Sequence, residues 1–542
     1  MAHRARANAL AVSLQDAQRP ACCPRCLRTF AEILGKDAAA LDDVRINCHG
    51  FWNACMTVIS TPRTSDDLAF LEPHFQSMER QCANRTHTSK SSLGWSTTQT
   101  RMFFDAAYEC IYIGLTFGPK AIVLRTKPNQ GFNSSKRSHW PVTIDQMFPG
   151  SEAGSIATHV FWCTQIFSPY PLHVLNQLVI VARPIVFPVI LREPLHAQLV
   201  WALVQYLHPY GSTPVKDWIW SGGRAPCTAP EDWQSIPWLA LQPRYAPVWA
   251  ATFLHYLQRG PDAHYDDIRR FLAGYERVLW PAVKNGYAVL ATWPYADDHV
   301  VLRVTTLAVW TFTIHEVLDL PPSELSDDIK RAAHPVSDDY EAENEISIAI
   351  PIHIHLKRCA NRRACFGPGC GITMQRNDGK PFQVCSRCKI VRYCSKECQK
   401  RDWTDDRQFP HKRACAAISR LLAQPGIRLD CDPIDFQRAF YQPHVLVDDQ
   451  DMLVLTMTAL EGSQPELKSA MLRMLVPNMD GSGTVDWTAV RAARFTPDMA
   501  ESMEEWLAEQ RRMRRAAERE AQAVPGDAVY FANGWEWNYF GS

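Results

Sequence analysis

Four stretches of the chain, Phe103–Phe117, Leu195–Leu207, Ile268–Leu279 and Leu302–Leu318, carry apolar residues at three-to-four spacing. That is the period of helices with one face in a core. The most apolar window, Leu172–Leu191, is interrupted by His173, Asn176, Gln177, Arg183, Pro184 and Pro188. A lipid-facing span does not tolerate that load, so the window reads as a buried core segment. Prolines and tryptophans punctuate residues 1–340, and no repeat near the roughly 40-residue period of helical solenoids stands out. The expectation is an irregular α-helical domain over residues 1–340.

A Pro-, Ser-, Asp- and Glu-rich linker is expected at Pro321–Asn344, and residues 341–358 read as linker followed by a strand. In EISIAIPIHIHL, Ile346, Ile348, Ile350, Ile352, Ile354 and Leu356 alternate strictly with other residues. Period two predicts a strand with one apolar face. Pro351 makes it an edge or kinked strand, and His353 and His355 are expected to face solvent. Helical periodicity returns at Ala416–Leu422 and from about Ile434. The last helix carries the stripe Met499, Met503, Trp506, Leu507 and Met513. Its run Arg511–Arg515 follows Glu504, Glu505 and Glu509 and reads as a charge-paired helix surface. The fold class expected is mainly α: a large irregular helical domain, a small two-metal module at 359–415, and a helical C-terminal region at 416–542.

The chain has 542 residues, with 46% hydrophobic and 11% aromatic residues, enough for a packed core. Its 57 basic and 57 acidic residues cancel, so no global charge argument points to nucleic acid. The N-terminus has too short an apolar run for a signal peptide. Of the 18 cysteines, eight fall between Cys359 and Cys415, a distribution unlike a secreted disulfide framework. An intracellular protein, nuclear or cytoplasmic, is expected.

The clustered residues form four ligand pairs: Cys365/Cys370, Cys385/Cys388, Cys394/Cys398 and His411/Cys415. Seven cysteines and one histidine fill two tetrahedral Zn²⁺ shells, and a histidine has no role in a disulfide network. All eight positions are protein ligands, so the expected cofactors are two structural zinc ions with no open position for metal catalysis. A segment this short and this polar draws much of its folding free energy from metal.

The order CxxxxC, CxxC, YCSKECQKRDW and HKRAC resembles the MYND-type zinc finger, over residues 365–415 only. The resemblance implies a cross-braced arrangement. Cys365, Cys370, Cys394 and Cys398 would take one zinc; Cys385, Cys388, His411 and Cys415 would take the other. Tyr393, Gln399, Asp402 and Trp403 match residue types at family positions. The first pair departs from the usual CxxC, with Cys359 close upstream as a rival to Cys365, and the Gly367-Pro368-Gly369 turn makes room for the longer loop. The stretch Thr404–Pro410 is longer than the family's spacing. The resemblance further implies that the module binds short proline-containing peptides of other proteins, often in transcriptional regulation. Gln399 and Trp403, four residues apart after Cys398, are the candidate peptide-binding residues: an indole offers proline a flat apolar platform, and an amide can pair with an extended backbone.

Two weaker constellations remain. Asn478–Ala489 resembles a degenerate EF-hand loop, with Asn478, Asp480, Ser482, Gly483, Val485 and Asp486 in place but Ala489 where a bidentate Glu belongs, so a structural turn is expected. Cys22, Cys23, Cys26, Cys48, His49 and Cys55 match no metal spacing and read as ordinary thiols. The sequence has no P-loop, no GxGxxG after a strand and no GxSxG elbow. The enzymatic alternative, a lysine methyltransferase-like protein carrying this finger, lacks the expected Asn-His-Ser-Cys segment. A zinc-binding adaptor or scaffold without catalysis is the resulting expectation, with neither membrane nor nucleic acid as partner.

Overall fold

The computed structural model describes residues 2–461 except 84–97, 117–138, 166–167, 208–245, 261, 264–266, 293–297, 334–347, 378–380, 405–410, 432, 443 and 446. The EF-hand-like loop and the Met499–Met513 stripe lie outside the described residues. The first helices are α1 (Ala2–Ser13), α2 (Pro24–Lys36), α3 (Ala38–Asn47), α4 (His49–Ser60), α5 (Ser65–Arg80) and α6 (Gln99–Thr116). Local chemistry sets their ends. Pro24 opens α2, where its missing N–H costs nothing. The Asp37 carboxylate caps α3 by accepting from the N–H of Ala39 and Ala40. Thr64 and Asp67 form a capping box on α5.

The chain continues through α7 (Glu152–Gln165), α8 (Pro169–Ile190), α9 (Leu195–Leu207), α10 (Ala246–Arg259), α11 (Asp267–Leu272), α12 (Glu276–Ala291), α13 (Asp298–Leu318) and α14 (Asp327–Ala333). The four periodic stretches are helical over their described residues with one change: Ile268–Leu279 is split by Gly274, whose φ of +84° favours a residue without a Cβ. The expected linker at Pro321–Asn344 contains a 3-10 turn at Pro322–Glu324 and then α14, whose Ile329 and Ala333 are buried with the first core. Among the described residues two helical segments, Pro169–Ile190 and Val301–Leu318, are long and apolar enough to cross a membrane; the first is 78% and the second 33% buried within the fold.

The buried apolar side chains of α1–α14 form one cluster, from Ala7 to Ala333. A second cluster runs from Ile348 to Ala459. It contains the metal-ligand candidates and the helices around them: α15 (Ala349–Asn361), α16 (Lys396–Thr404), α17 (His411–Leu422), α18 (Pro433–Phe440) and α19 (Asp449–Glu461). The short module therefore shares its core with flanking helices.

The described part of the strand predicted at 346–356 is helical instead: residues 349–356 lie in α15. Ile348, Ile352, Leu356 and Cys359 lie at steps of four, four and three and are all buried, so the same isoleucines that alternate also satisfy a helical face. Pro351 falls in the first turn, where no intrahelical donor is lost. His353 does not face solvent: it is buried, stacked on Phe436 at 4.6 Å, with Nε2 3.3 Å from the Leu429 carbonyl. His355 is half-buried, with Nε2 3.4 Å from the Cys359 sulfur, and burial pushes its imidazole down to about 4.

Arg363 joins the two clusters. Its Nε donates to the Asp262 carboxylate at 2.8 Å, its backbone N–H to the other oxygen at 2.8 Å, and its Nη2 to the Ile180 carbonyl at 2.5 Å. Both side chains of the pair are buried. Ile180 stands four residues before Pro184, which has no N–H to close the helical bond. The proline leaves a carbonyl lone pair available, and Arg363 occupies it. Alongside, Arg183 donates to Asp267 and to the carbonyls of Tyr256 and Leu257, so two buried cations meet two carboxylates. At the surface Arg376 bonds Glu152.

Candidate metal centre

Cys365 begins a tight backbone path. Its N–H donates to the Ile372 carbonyl at 2.8 Å, Met374 N–H to Arg363 at 2.8 Å, and Phe366 N–H to Arg392 at 3.0 Å. A Cβ on Gly367 would stand 2.6 Å from the Cys398 Cβ, so only glycine fits where this loop crosses the third ligand pair. Gly369 and Gly371 take φ of +65° and +63° and turn the chain so that Cys370 points back. The four-residue spacer between Cys365 and Cys370 is thereby accommodated.

A two-residue hairpin follows. β1 (Gln383–Val384) pairs antiparallel with β2 (Arg392–Tyr393), Gln383 opposite Tyr393. Cys385 and Cys388 lie in its turn, closed by Cys385 N–H to Val391 O and Lys389 N–H to Cys385 O, both 2.9 Å. Cys394 leaves β2, Cys398 sits in the first turn of α16, and His411 and Cys415 lie one turn apart on α17.

These elements bring the eight side chains into two groups, the first pair with the third and the second with the fourth. Within each group all ligand atoms lie within 4.8 Å of one another. In the first, the Cys370 and Cys398 sulfurs each stand 3.5 Å from that of Cys394. In the second, the Cys385 and Cys415 sulfurs are 3.6 Å apart and Cys388 Sγ is 3.6 Å from His411 Nε2. Sulfurs bound to one Zn²⁺ at about 2.3 Å are separated by about 3.8 Å across a tetrahedral edge, and a sulfur–nitrogen edge is about 3.6 Å. The spacing is metal-sized and far beyond the roughly 2.05 Å of a disulfide. The two groups fit two structural zinc ions. Cys359 stays outside both, beside His355.

One sulfur in each group is the easier thiolate, Cys398 in the first and Cys385 in the second, while burial pushes Cys365, Cys394, Cys388 and Cys415 up. In the first group the Arg401 guanidinium donates to Cys398 Sγ at 3.1 Å. Burial pushes that thiol up, but the Arg401 bond and the neighbouring thiols outweigh it and bring the group down to about 7. Burial lowers the His411 imidazole, which favours the neutral ring a metal needs. Arg401 was not singled out from the sequence; its place three residues after Cys398 on a helix was the available signal.

Of the four other residues at family positions, two hold the module's own core. The Tyr393 hydroxyl donates to the buried Asp402 carboxylate at 2.6 Å. Gln399 and Trp403 lie on α16, both half-buried, and the indole and the His411 ring meet edge to face with centroids 5.8 Å apart. Residues 368–415 match the family described as MYND finger.

The chain carries a MYND-type zinc finger. A curated relative, an F-box protein of Arabidopsis thaliana, is 39% identical over 62 residues. That match spans 11% of this chain and 15% of the relative, so the likeness is confined to a small part of both. No solved structure matches the chain. The finger is a zinc-dependent protein-interaction module, and its two closed sites are scaffolding for a binding surface.

Proposed function

We propose that the protein is an intracellular adaptor whose MYND finger captures short proline-containing segments of other proteins, in transcriptional regulation. The observation that supports this reading is the surface of α16. Gln399 and Trp403 are one helical turn apart, and each is half-exposed although neither is a metal ligand. The indole and the His411 ring meet edge to face, which restrains the indole, and its half-exposed surface offers an apolar platform. The neighbouring amide supplies hydrogen bonds to an extended backbone. The surface is electropositive: residues 365–415 hold eleven Lys/Arg against five Asp/Glu, and two Zn²⁺ with seven thiolates leave about +3. Such a surface favours acidic or neutral peptides. The thiolate ligands require a reducing compartment, which supports an intracellular site.

In this reading residues 1–340 form a helical scaffold, 341–358 lead into the finger at 359–415, and 416–542 form a helical C-terminal region. The separate apolar clusters support a boundary near residue 340, while one cluster spans the finger and the helices on both sides of it.

The test is capture of proline-containing peptides by the full chain and by Trp403→Ala. With zinc content and helical signal intact, the variant should lose on the order of 2 kcal/mol of binding, about 30-fold in Kd. Unchanged affinity for every peptide that the parent binds refutes the assignment of α16. Loss of zinc in the variant would instead make Trp403 a core residue, and Gln399→Ala then tests the same surface.

A further inference from the structure

Three cysteines far from the finger repeat its geometry. Cys23 caps α2, Cys26 lies in the first turn of α2, and Cys82 follows the end of α5. Their sulfurs all lie within 4.8 Å of one another, and those of Cys26 and Cys82 are 3.6 Å apart, matching the 3.5–3.6 Å spacing within the two finger groups. None of the three forms a disulfide. Cys22, Cys48 and Cys55, the other N-terminal cysteines, are buried in the apolar core and stand apart from the cluster.

The local turn is also that of a finger ligand pair. In Cys23-Pro24-Arg25-Cys26 the first sulfur accepts the backbone N–H groups of Arg25 and Cys26. In Cys385-Ser386-Arg387-Cys388 the first sulfur accepts those of Arg387 and Cys388. Two N–H groups aimed at the leading sulfur stabilise a thiolate and aim both side chains of the pair at one point. The third sulfur comes from 56 residues further along. The Pro20 carbonyl, 3.0 Å from His74 Nε2, ties the loop before α2 to α5 and holds the two segments in register. Arg6 donates to the Cys26 carbonyl at 3.2 Å, and Arg25 pairs with Glu79 on α5. Arg6 offsets the negative charge that three thiolates leave on a divalent ion, while the Arg25–Glu79 pair ties α2 to α5.

We propose that Cys23, Cys26 and Cys82 bind a third zinc ion, held by three thiolates, with a fourth position that no side chain among the described residues fills. Cys23 is buried while Cys26 and Cys82 are half-buried, so the fourth position faces the accessible side of the cluster. Zinc suits the site because three soft thiolates with no carboxylate select against Mg²⁺ and Ca²⁺. A redox dithiol would need two of these sulfurs and gives no reason for the third. The ion would clamp α2 to the end of α5, so unlike the finger zincs it belongs to the helical scaffold.

The test uses the full chain, purified without chelator. Elemental analysis should return three zinc ions per chain, two for Cys23→Ser/Cys26→Ser, and should leave the N-terminal ion in Cys385→Ser/Cys388→Ser. Peptide-resolved alkylation with iodoacetamide gives a readout that needs no variant. Cys26 and Cys82, half-buried as bare thiols, should label at least tenfold more slowly before chelator than after it. Two zincs in the parent, with equal labelling of Cys26 and Cys82 in both conditions, overturns the proposal. So does a Cys23–Cys26 disulfide in the non-reduced peptide map of freshly purified protein. Should the double variant fail to fold, the labelling of the parent decides. Peptide capture by the finger is measured separately, so failure of either reading leaves the other standing.

Discussion

Asp262→Asn removes the carboxylate that Arg363 faces while keeping nearly the same side-chain shape. Asparagine is the right replacement because Asp262 has φ of +59°, a conformation Asn and Asp tolerate and Ala does not. The amide oxygen can still accept the Arg363 backbone N–H, now 2.8 Å from Oδ1. The amide nitrogen then points a donor at the Arg363 Nε, now 2.8 Å from Oδ2. The guanidinium stays buried beside Arg183 with one carboxylate fewer. Breaking a buried pair by removing one partner costs about 3–5 kcal/mol, and the retained backbone bond puts this case near the low end. A loss of about 3 kcal/mol is a factor of roughly 150 in an opening equilibrium. Hydrogen exchange read by mass spectrometry measures that opening locally. Amides of 363–374 and of α8 around Ala182, where the backbone leaves helical φ/ψ, should exchange about 100-fold faster in the variant, while those of α2 and α6 stay unchanged. Arg363→Met removes the cation instead, and the double variant should cost less than the two single losses summed, because neither charge is then left alone. Strict additivity, or unchanged exchange in both segments, would refute the view that this pair fixes the finger to the scaffold.

Cys365→Ser should lower the zinc content of the finger by one ion and Cys359→Ser should leave it unchanged; elemental analysis distinguishes them, and the reverse result would reassign the first ligand. His159 is fully buried, with its Nδ1 2.9 Å from the Tyr108 hydroxyl, and burial takes its imidazole from 6.5 down to about 3. The unfolded chain therefore gains a proton first as pH falls, and the stability from this neutral ring, complete above about pH 6.5, is lost progressively toward pH 3, at up to about 1.4 kcal/mol per unit. Urea midpoints at about pH 7 and pH 5 should move apart less in His159→Gln than in the parent, and an equal separation would exclude the residue as a contributor. At micromolar calcium the loop Asn478–Ala489 should bind nothing, since Ala489 lacks the bidentate carboxylate; a calorimetric titration with micromolar affinity would overturn that reading.

The finger was legible because its chemistry is written locally. Cysteine and histidine pairs at short spacing have few structural alternatives to a shared ion, and the eight residues name themselves before any fold is known. The helices of the scaffold were legible for a similar reason, since an amphipathic period survives in the sequence whatever the helix packs on. Residues 346–356 show where local pattern fails. Isoleucine at every second position also places Ile348, Ile352 and Leu356 at every fourth, and the choice fell to the second core, where Phe436 and the face of α15 bury together. Tertiary structure overrides β-propensity when only one of two periods finds a partner surface. The same holds for charges and thiols whose partners are distant in sequence. Arg363 and Asp262 are 101 residues apart, and Cys82 is 56 residues from Cys26. Nothing in the residues between them encodes the meeting, because Coulomb attraction and metal-sized sulfur spacing depend on position in space, which only the packed helices set.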